Sequence, residues 1–385
     1  MSVTLDELDR DPYPLLARLR AQAPVGWVPA FGGWLVTGYA AATEVLLDPA
    51  VFTVDDPRFT TARVTGPSML SLDGAQHARH RAPFAHGFRP AEVASRLGDF
   101  TQTAANQLVD AIGPVGAAEL RQSFAGPLAA AVMAEALGLA SVGIAPATVL
   151  DWYRAIVTAV AQLDPSSAPG RKQTPVASFG ELAAGLREAI ATGRAPLLAQ
   201  AAQDGALSDN EVVSNAAVAL FGGIETTEGM ICNAVLYLGR QPDAFRTVAE
   251  DLDLVSGVVE ESLRMEPAAA IVDRYATRDA TLAGTAIARG DLVRVSITAA
   301  NRDPAAFADP DRFDLRRPDA ARHLAFARGP HFCIGAHLAR LEAVTAVKAL
   351  VSRLPGLRLD PEHPAEVRGL VFRKPDELRV RWDPR

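Results

Sequence analysis

One stretch constrains this chain more than any other: Phe326-Ala327-Arg328-Gly329-Pro330-His331-Phe332-Cys333-Ile334-Gly335. It holds one of only two cysteines; the other is Cys232. A Gly-Pro turn signal precedes the thiol and Gly335 follows it. An amphipathic helical run then opens, Ala336-His337-Leu338-Ala339-Arg340-Leu341-Glu342. A cysteine at a helix start meets unsatisfied backbone N–H groups and the positive end of the helix dipole. Both favour thiolate over thiol. Glycines, lacking Cβ, let a flat macrocycle approach the backbone. A lone thiolate in such a loop suits axial ligation of haem iron. Taken alone, Cys333 reads more often as a small buried hydrophobe at a helix start.

Charge and composition narrow the alternatives. The 385 residues carry 38 basic and 45 acidic side chains, a formal charge of −7 with pI near 5.6. No strong basic excess is present, so a nucleic-acid binder is not expected. A hydrophobic content of 49% supplies a large core. Cys232 and Cys333 lie far apart in sequence, give no disulfide framework and suit a reducing cytosol. Residues Met1 to Glu7 show no basic and apolar regions of a signal peptide. No apolar run approaches the ~18 residues of a membrane span. The most hydrophobic segments, 128–140 and 212–223, are broken by Glu135, Ser214 and Asn215. The expectation is a soluble, cytoplasmic protein that binds neither membrane nor nucleic acid.

Periodicity predicts a mainly α chain with small β-sheets, in one large domain over 1–385. Strand-like runs at Val25–Pro29 and Gly33–Thr37 read as a hairpin. Phe52–Leu72 reads as mostly irregular, and a loop of that length is more often functional. Helix follows helix from Gln76 to about Ala140, then Pro146–Leu163. Asp164–Ser178 reads as a mobile connection between helices. Ser208-Asp209-Asn210-Glu211 is a capping signal that opens the longest helix, to about Gly239. Leu252–Met265 is helical, Ile271–Ala288 and Leu292–Thr298 read as strands, and Pro304–Asp319 is a Pro/Asp-rich meander.

Three further clusters carry chemistry-bearing residues. Gly222-Gly223-Ile224-Glu225-Thr226-Thr227 lies in mid-helix, where two glycines cost roughly 1–2 kcal/mol relative to alanine. A mid-helix Thr226 can bond back to the Gly222 carbonyl and bend the helix. An acid followed by a hydroxyl at such a turn can relay protons; small residues at a helix crossing give the plainer reading. Glu261 and Arg264 share one helix face at i and i+3, as ordinary surface pairs do. His77 and Arg81, at i and i+4, share another, which also suits a solvated basic face.

Together these stretches resemble the cytochrome P450 family. Phe-x-x-Gly-x-His-x-Cys-x-Gly is similar to its haem-binding loop, with Ala327 where the family usually has Gly. Gly-Gly-x-Glu-Thr-Thr is similar to its oxygen-activation motif, and Glu261-x-x-Arg264 and His77-x-x-x-Arg81 fall in the family's order. The resemblance implies the triangular, mainly helical P450 fold and haem b (iron protoporphyrin IX) with Cys333 as iron ligand. It implies Glu225 and Thr226 as the acid–alcohol pair. It implies His77, Arg81, Arg274 and His331 around the haem propionates, with Phe326, Gly329 and Gly335 shaping the cofactor loop. Glu261, Arg264 and the meander's Arg312 then form a buried structural network.

The activity so implied is monooxygenation: reductive activation of O2 and oxidation, mainly hydroxylation, of a hydrophobic small molecule of secondary metabolism. The chain has no dinucleotide fingerprint, so electrons are expected from a separate ferredoxin and NAD(P)H-dependent ferredoxin reductase. Arg79, Arg328 and Arg340 offer a basic patch for such a partner. Val218, Phe221, Gly222, Ala269, Ala270 and the loop Phe59–Met69 are the positions expected to meet substrate. Desaturation, epoxidation and oxidative coupling stay open on the same fold. So do a haem protein without turnover and a helical binding protein without haem.

Overall fold

The computed structural model describes residues 3–163, 175–193, 195–203, 205–241 and 243–384. The expected connection Asp164–Ser178 lies mostly outside them; the chain is helical again from Pro175. The fold is mainly α-helical with small β-sheets, as expected.

The hairpin forms where alternation places it. Strand β1 (Val25–Val28) pairs antiparallel with β2 (Gly33–Val36), setting Trp27 opposite Trp34. Helix α1 (Tyr39–Leu47) follows, then β3 (Phe52–Thr53). The stretch read as irregular also contains a short helix, α2 (Thr60–Thr65). Its three threonines and lack of apolar periodicity conceal it in the sequence. Helix α3 (Gly74–Ala85) carries His77, His80 and Arg81, and α4 (Pro90–Ile112), α5 (Gly126–Ala136) and α6 (Pro146–Leu163) complete the first half.

Helix α7 (Asp209–Gly239) is the spine of the molecule, 31 residues long. Ser208 caps it, accepting the Glu211 N–H while Glu211 accepts the Ser208 N–H, a reciprocal capping box. Most of its residues from Val212 to Leu238 are buried, the polar Glu225, Thr227 and Glu228 among them. It packs on α5, on α8 (Leu254–Met265) and on the last long helix, and these elements share one large core.

Strands β4 (Ile271–Ala276) and β5 (Leu292–Ser296) complete a five-stranded sheet of order β1-β2-β5-β4-β3. The β2–β5 pair is parallel and the others antiparallel. The run to Ala288, read as one strand, ends at Ala276 and continues as a separate hairpin, 280–282 against 285–287. Helix α9 (Ala336–Arg353) leaves the cysteine loop, and β6 (Val367–Arg368) pairs with β7 (Lys374–Pro375) near the end of the chain.

Candidate active site

A cavity of about 370 Å³ opens where α7, α9, β4 and the cysteine loop converge. Cys333, His331, Arg81, Arg274 and Thr226 border it, and Phe59, Met69, Val218, Phe221, Ile271 and Phe372 give it an apolar wall. Residues as far apart in sequence as Phe59 and Phe372 are thereby brought around one space.

The cysteine loop is held by its backbone. The Cys333 N–H donates to the Phe326 carbonyl at 2.9 Å, closing the loop on itself. Gly329 has φ +69°, and a Cβ there would lie 2.7 Å from the Leu46 carbonyl of α1. This glycine seats the loop against α1 and lies off the cavity wall, so its role is to shape the loop and not to border a cofactor. Ala327 also sits in the left-handed region, at φ +56°, which accounts for glycine as the usual residue there and costs roughly 1–2 kcal/mol. The Phe326 ring stacks under the Arg340 guanidinium, 4.5 Å from the ring centre.

Burial raises the Cys333 thiol above its ordinary value; the Gly335 N–H, Arg81 and Arg340 pull the other way without overcoming it. The dipole argument from the sequence is thus outweighed by burial. A cation over the sulfur reverses that balance, because a coordinating thiol is deprotonated outright.

Cationic and hydrogen-bonding groups gather beside the loop. His331 Nε2 lies 2.7 Å from Asp73 Oδ1, and Asp73 also accepts from Thr53 Oγ1 at 2.6 Å and the Val54 N–H at 2.9 Å. Burial pushes Asp73 up, but these bonds outweigh it and hold the carboxyl below its ordinary range. The His77 ring packs on His331 at 4.4 Å, and His77 Nε2 is buried with no hydrogen-bond partner. Burial, then His331 and Arg81, push His77 down to about 4. Arg81 donates to the Phe332 carbonyl at 2.6 Å and has no carboxylate partner among the described residues. Burial pushes Arg274 down to about 10 against the pull of Asp73 and Asp273. Desolvated cations and an orphaned imidazole beside a thiol fit a flat, doubly anionic metal complex such as haem, whose carboxylates they would pair.

The mid-helix motif behaves as its local chemistry dictates. Thr226 Oγ1 donates to the Gly222 carbonyl at 2.6 Å, four residues back. Both readings of the paired glycines hold, one at each position. Gly222 borders the cavity, with open space where its Cβ would be. A Cβ on Gly223 would meet Met133 Sδ at 2.5 Å, so that glycine admits α5. Thr226 faces the cavity, whereas Glu225 turns away from it. Glu225 accepts from the Tyr153 hydroxyl and lies 2.8 Å from Lys374 Nζ. Lys374 also reaches Glu228 at 2.8 Å, and Arg121 pairs with Glu228 at 2.6 Å.

Glu261 and Arg264 are fully buried, not a surface pair. Arg264 donates to both Glu261 oxygens at 2.8 Å and to the carbonyls of Asn301 and Pro310. The meander arginine that joins them is Arg317, 2.9 Å from Glu261 Oε1, in place of the expected Arg312. The Arg312 side chain is 68% exposed and pairs with Asp314; only its carbonyl enters the network.

Two other expectations need correction. Ala270 lies off the cavity, its N–H on the Val371 carbonyl and its own carbonyl accepting from Ile297. Its neighbours Ala269 and Ile271 border the cavity instead, as alternation along an extended chain requires. The basic patch is largely neutralised, since Arg79 pairs with Glu211 and Arg340 with Glu260. Phe372 and Glu342 also border the cavity, and Lys374 and Tyr153 hold Glu225 behind it. Nothing within a few residues of any of them marks it, because each reaches the site through tertiary contact.

The comparisons with known proteins agree with this geometry. A family profile described as Cytochrome P450 matches residues 193–363. The chain is 38% identical over 370 residues to cytochrome P450 monooxygenase PikC of Streptomyces venezuelae, covering 91% of this chain and 85% of that one. It is 34% identical to mycinamicin IV hydroxylase/epoxidase of Micromonospora griseorubida, covering 94% of each. The crystal structure of CalO2 superposes with a TM-score of 0.88 at 30% identity, over 98% of this chain and 97% of that one. Fold and site define an oxygen-using enzyme, a monooxygenase acting on a small molecule. The chain belongs to the cytochrome P450 family.

Proposed function

We propose that residues 1–385 form one catalytic unit that hydroxylates a hydrophobic small molecule of bacterial secondary metabolism, using haem b held by Cys333. The observation that carries this reading is a single cavity bordered by the Cys333 thiol, the Thr226 hydroxyl, the half-buried Arg81 and the buried Arg274. When bound, haem supplies reductive activation of O2, with a thiolate ligand favouring O–O cleavage.

The chain's own residues do the rest. Arg81, Arg274, His331 and His77 are the residues that would hold the propionates, His77 through the buried Nε2 that has no protein partner. Phe326 and Gly335 shape the loop around the ligand, while Gly329 seats it against α1. Thr226 holds a hydrogen bond at its hydroxyl inside the cavity, and Glu225 supplies protons behind it from the buried Tyr153–Lys374 cluster. Val218, Phe221 and Gly222 on α7 present an apolar face to substrate. The face that α7 turns to the cavity is apolar apart from Thr226 and Thr227 and carries no carboxylate, which supports a substrate bound there mainly by hydrophobic contact. The named activities of the relatives, hydroxylation and epoxidation among them, support insertion of one oxygen atom.

Electrons come from a separate ferredoxin and NAD(P)H-dependent reductase. Two free thiols support a cytoplasmic setting, and among the described residues no helix is long and apolar enough to cross a membrane.

A reduced-minus-oxidised CO difference spectrum tests the reading. A red-shifted Soret band that is lost in Cys333→His supports it. A band at the position of histidine-ligated haem in the wild type, or failure to take up haem, overturns it.

A further inference from the structure

The roof of the cavity carries a polar clasp that the proposed chemistry does not use. Met69 and Leu70 border the cavity from segment 66–72, between α2 and α3. The Met69 N–H donates to Asn215 Oδ1 on α7 at 2.8 Å. Asn215 is fully buried. Its Nδ2 lies 2.9 Å from His80 Nδ1 and 2.7 Å from the Glu211 carbonyl. A backbone N–H can only donate, so it fixes Oδ1 toward Met69 and Nδ2 toward His80. His80 Nδ1 must then accept, so a neutral ring carries its proton on Nε2, which lies 3.2 Å from Glu211 Oε1 and 3.0 Å from Arg79 Nη2. Arg79 donates to the same carboxylate oxygen at 2.5 Å. Donation therefore runs one way along the latch, from Met69 to Asn215 and from Asn215 to His80.

We propose that Asn215 and His80 are positioning residues that latch segment 66–72 over the cavity, and that protonation of His80 releases the latch. A protonated imidazole donates from both nitrogens, so Nδ1–H would face the Asn215 amide N–H. Turning the amide repairs that contact but sets its NH2 against the Met69 N–H. Either arrangement leaves a buried donor without an acceptor, which costs more than a neutral hydrogen bond gains.

The charged groups around His80 are few. Glu211 on α7 favours the proton; Arg79 and His77 on its own helix oppose it. Segment 66–72 and the helix Pro196–Gln203, which also packs on α3, hold no titratable residue. Burial, then Arg79, hold His80 below its ordinary 6.5, so the latched form carries the neutral ring. In the open form the ring returns to its ordinary value. The advantage of the closed form is thus complete above about 6.5 and drains as pH falls from there toward the lowered value.

The test uses the haem-loaded enzyme. Hydrogen-exchange protection factors are read for the amides of 66–72, with stopped-flow binding of 4-phenylimidazole as a probe of access. Asn215→Leu is expected to lower protection about tenfold and to raise association and dissociation rates together. Wild-type protection falls with pH below about 6.5, and His80→Leu abolishes that dependence. Asn215→Asp reverses it, because a carboxylate accepts from both Met69 and a protonated His80. Unchanged protection in Asn215→Leu, or a wild-type pH profile in His80→Leu, overturns the proposal. Where Asn215→Leu does not fold, the opposite pH slopes of wild type and Asn215→Asp decide it, and parallel slopes sink it.

Discussion

Lys374 holds Glu225 away from the cavity: its Nζ lies 2.8 Å from Glu225 Oε1 and 2.8 Å from Glu228 Oε1. One ammonium from β7 thus serves two buried carboxylates on α7. Replacing it by methionine leaves Glu225 with only the Tyr153 hydroxyl. Lys374→Met is expected to cost about 3 kcal/mol, since an uncompensated buried charge remains. Urea unfolding of the haem-loaded enzyme measures it, and a loss below about 1 kcal/mol would show that the pair contributes little.

Thr226 is the hydroxyl of the motif that faces the cavity. Thr226→Ala is expected to leave the CO difference spectrum unchanged while product formed per NAD(P)H falls by about tenfold and hydrogen peroxide rises. Thr226→Ser, which keeps the hydroxyl, is expected to retain most coupling. Equal product yield per reductant in wild type and the alanine variant would remove Thr226 from proton delivery.

The meander offers a paired comparison. Arg317 is buried against Glu261, whereas Arg312 lies in solvent with Asp314. Arg317→Leu is expected to destabilise by about 3–5 kcal/mol and to lower haem content on purification. Arg312→Leu should change stability by less than about 1 kcal/mol, as an exposed pair does. Equal losses in the two variants would contradict the assignment.

Glu342 lies in the cavity wall, 1% exposed, with Oε2 lacking any hydrogen-bond partner. Burial raises its carboxyl well above the ordinary value, and no cation opposes the shift. The folded state then binds a proton that the unfolded state releases above about 4.5, so folding stability falls as pH rises from that value. Glu342→Gln removes this term. Its stability advantage over wild type is expected to grow as pH rises above about 4.5. Denaturation midpoints of both proteins at three pH values check it, and parallel curves would mean that the carboxyl is ionised in the fold.

What was legible in the sequence lay within about one helical turn of itself. The Ser208–Glu211 capping box, the Thr226 bond to Gly222, the turn before Cys333 and the hairpin of β1 and β2 all follow from near neighbours. The resemblance carried by four motifs then gave the fold and the cofactor loop. Local reasoning failed where a single residue of register matters. Ala270 and Ala269 are equally small and apolar, yet extended chain sends one to the cavity and the other away.

The sequence by itself determined the longer helices, the Ser208 cap, the family and the thiol at the centre, because each depends on a pattern a few residues long. Only the tertiary structure decided that Arg317 and not Arg312 meets Glu261, that Lys374 neutralises Glu225, and that Asn215 joins Met69 to His80. These contacts join positions 56, 149 and 146 residues apart, with 135 between Asn215 and His80. No periodicity spans such distances. A buried polar group takes whichever partner the packed core brings within hydrogen-bond reach, and that choice exists only after the helices have docked.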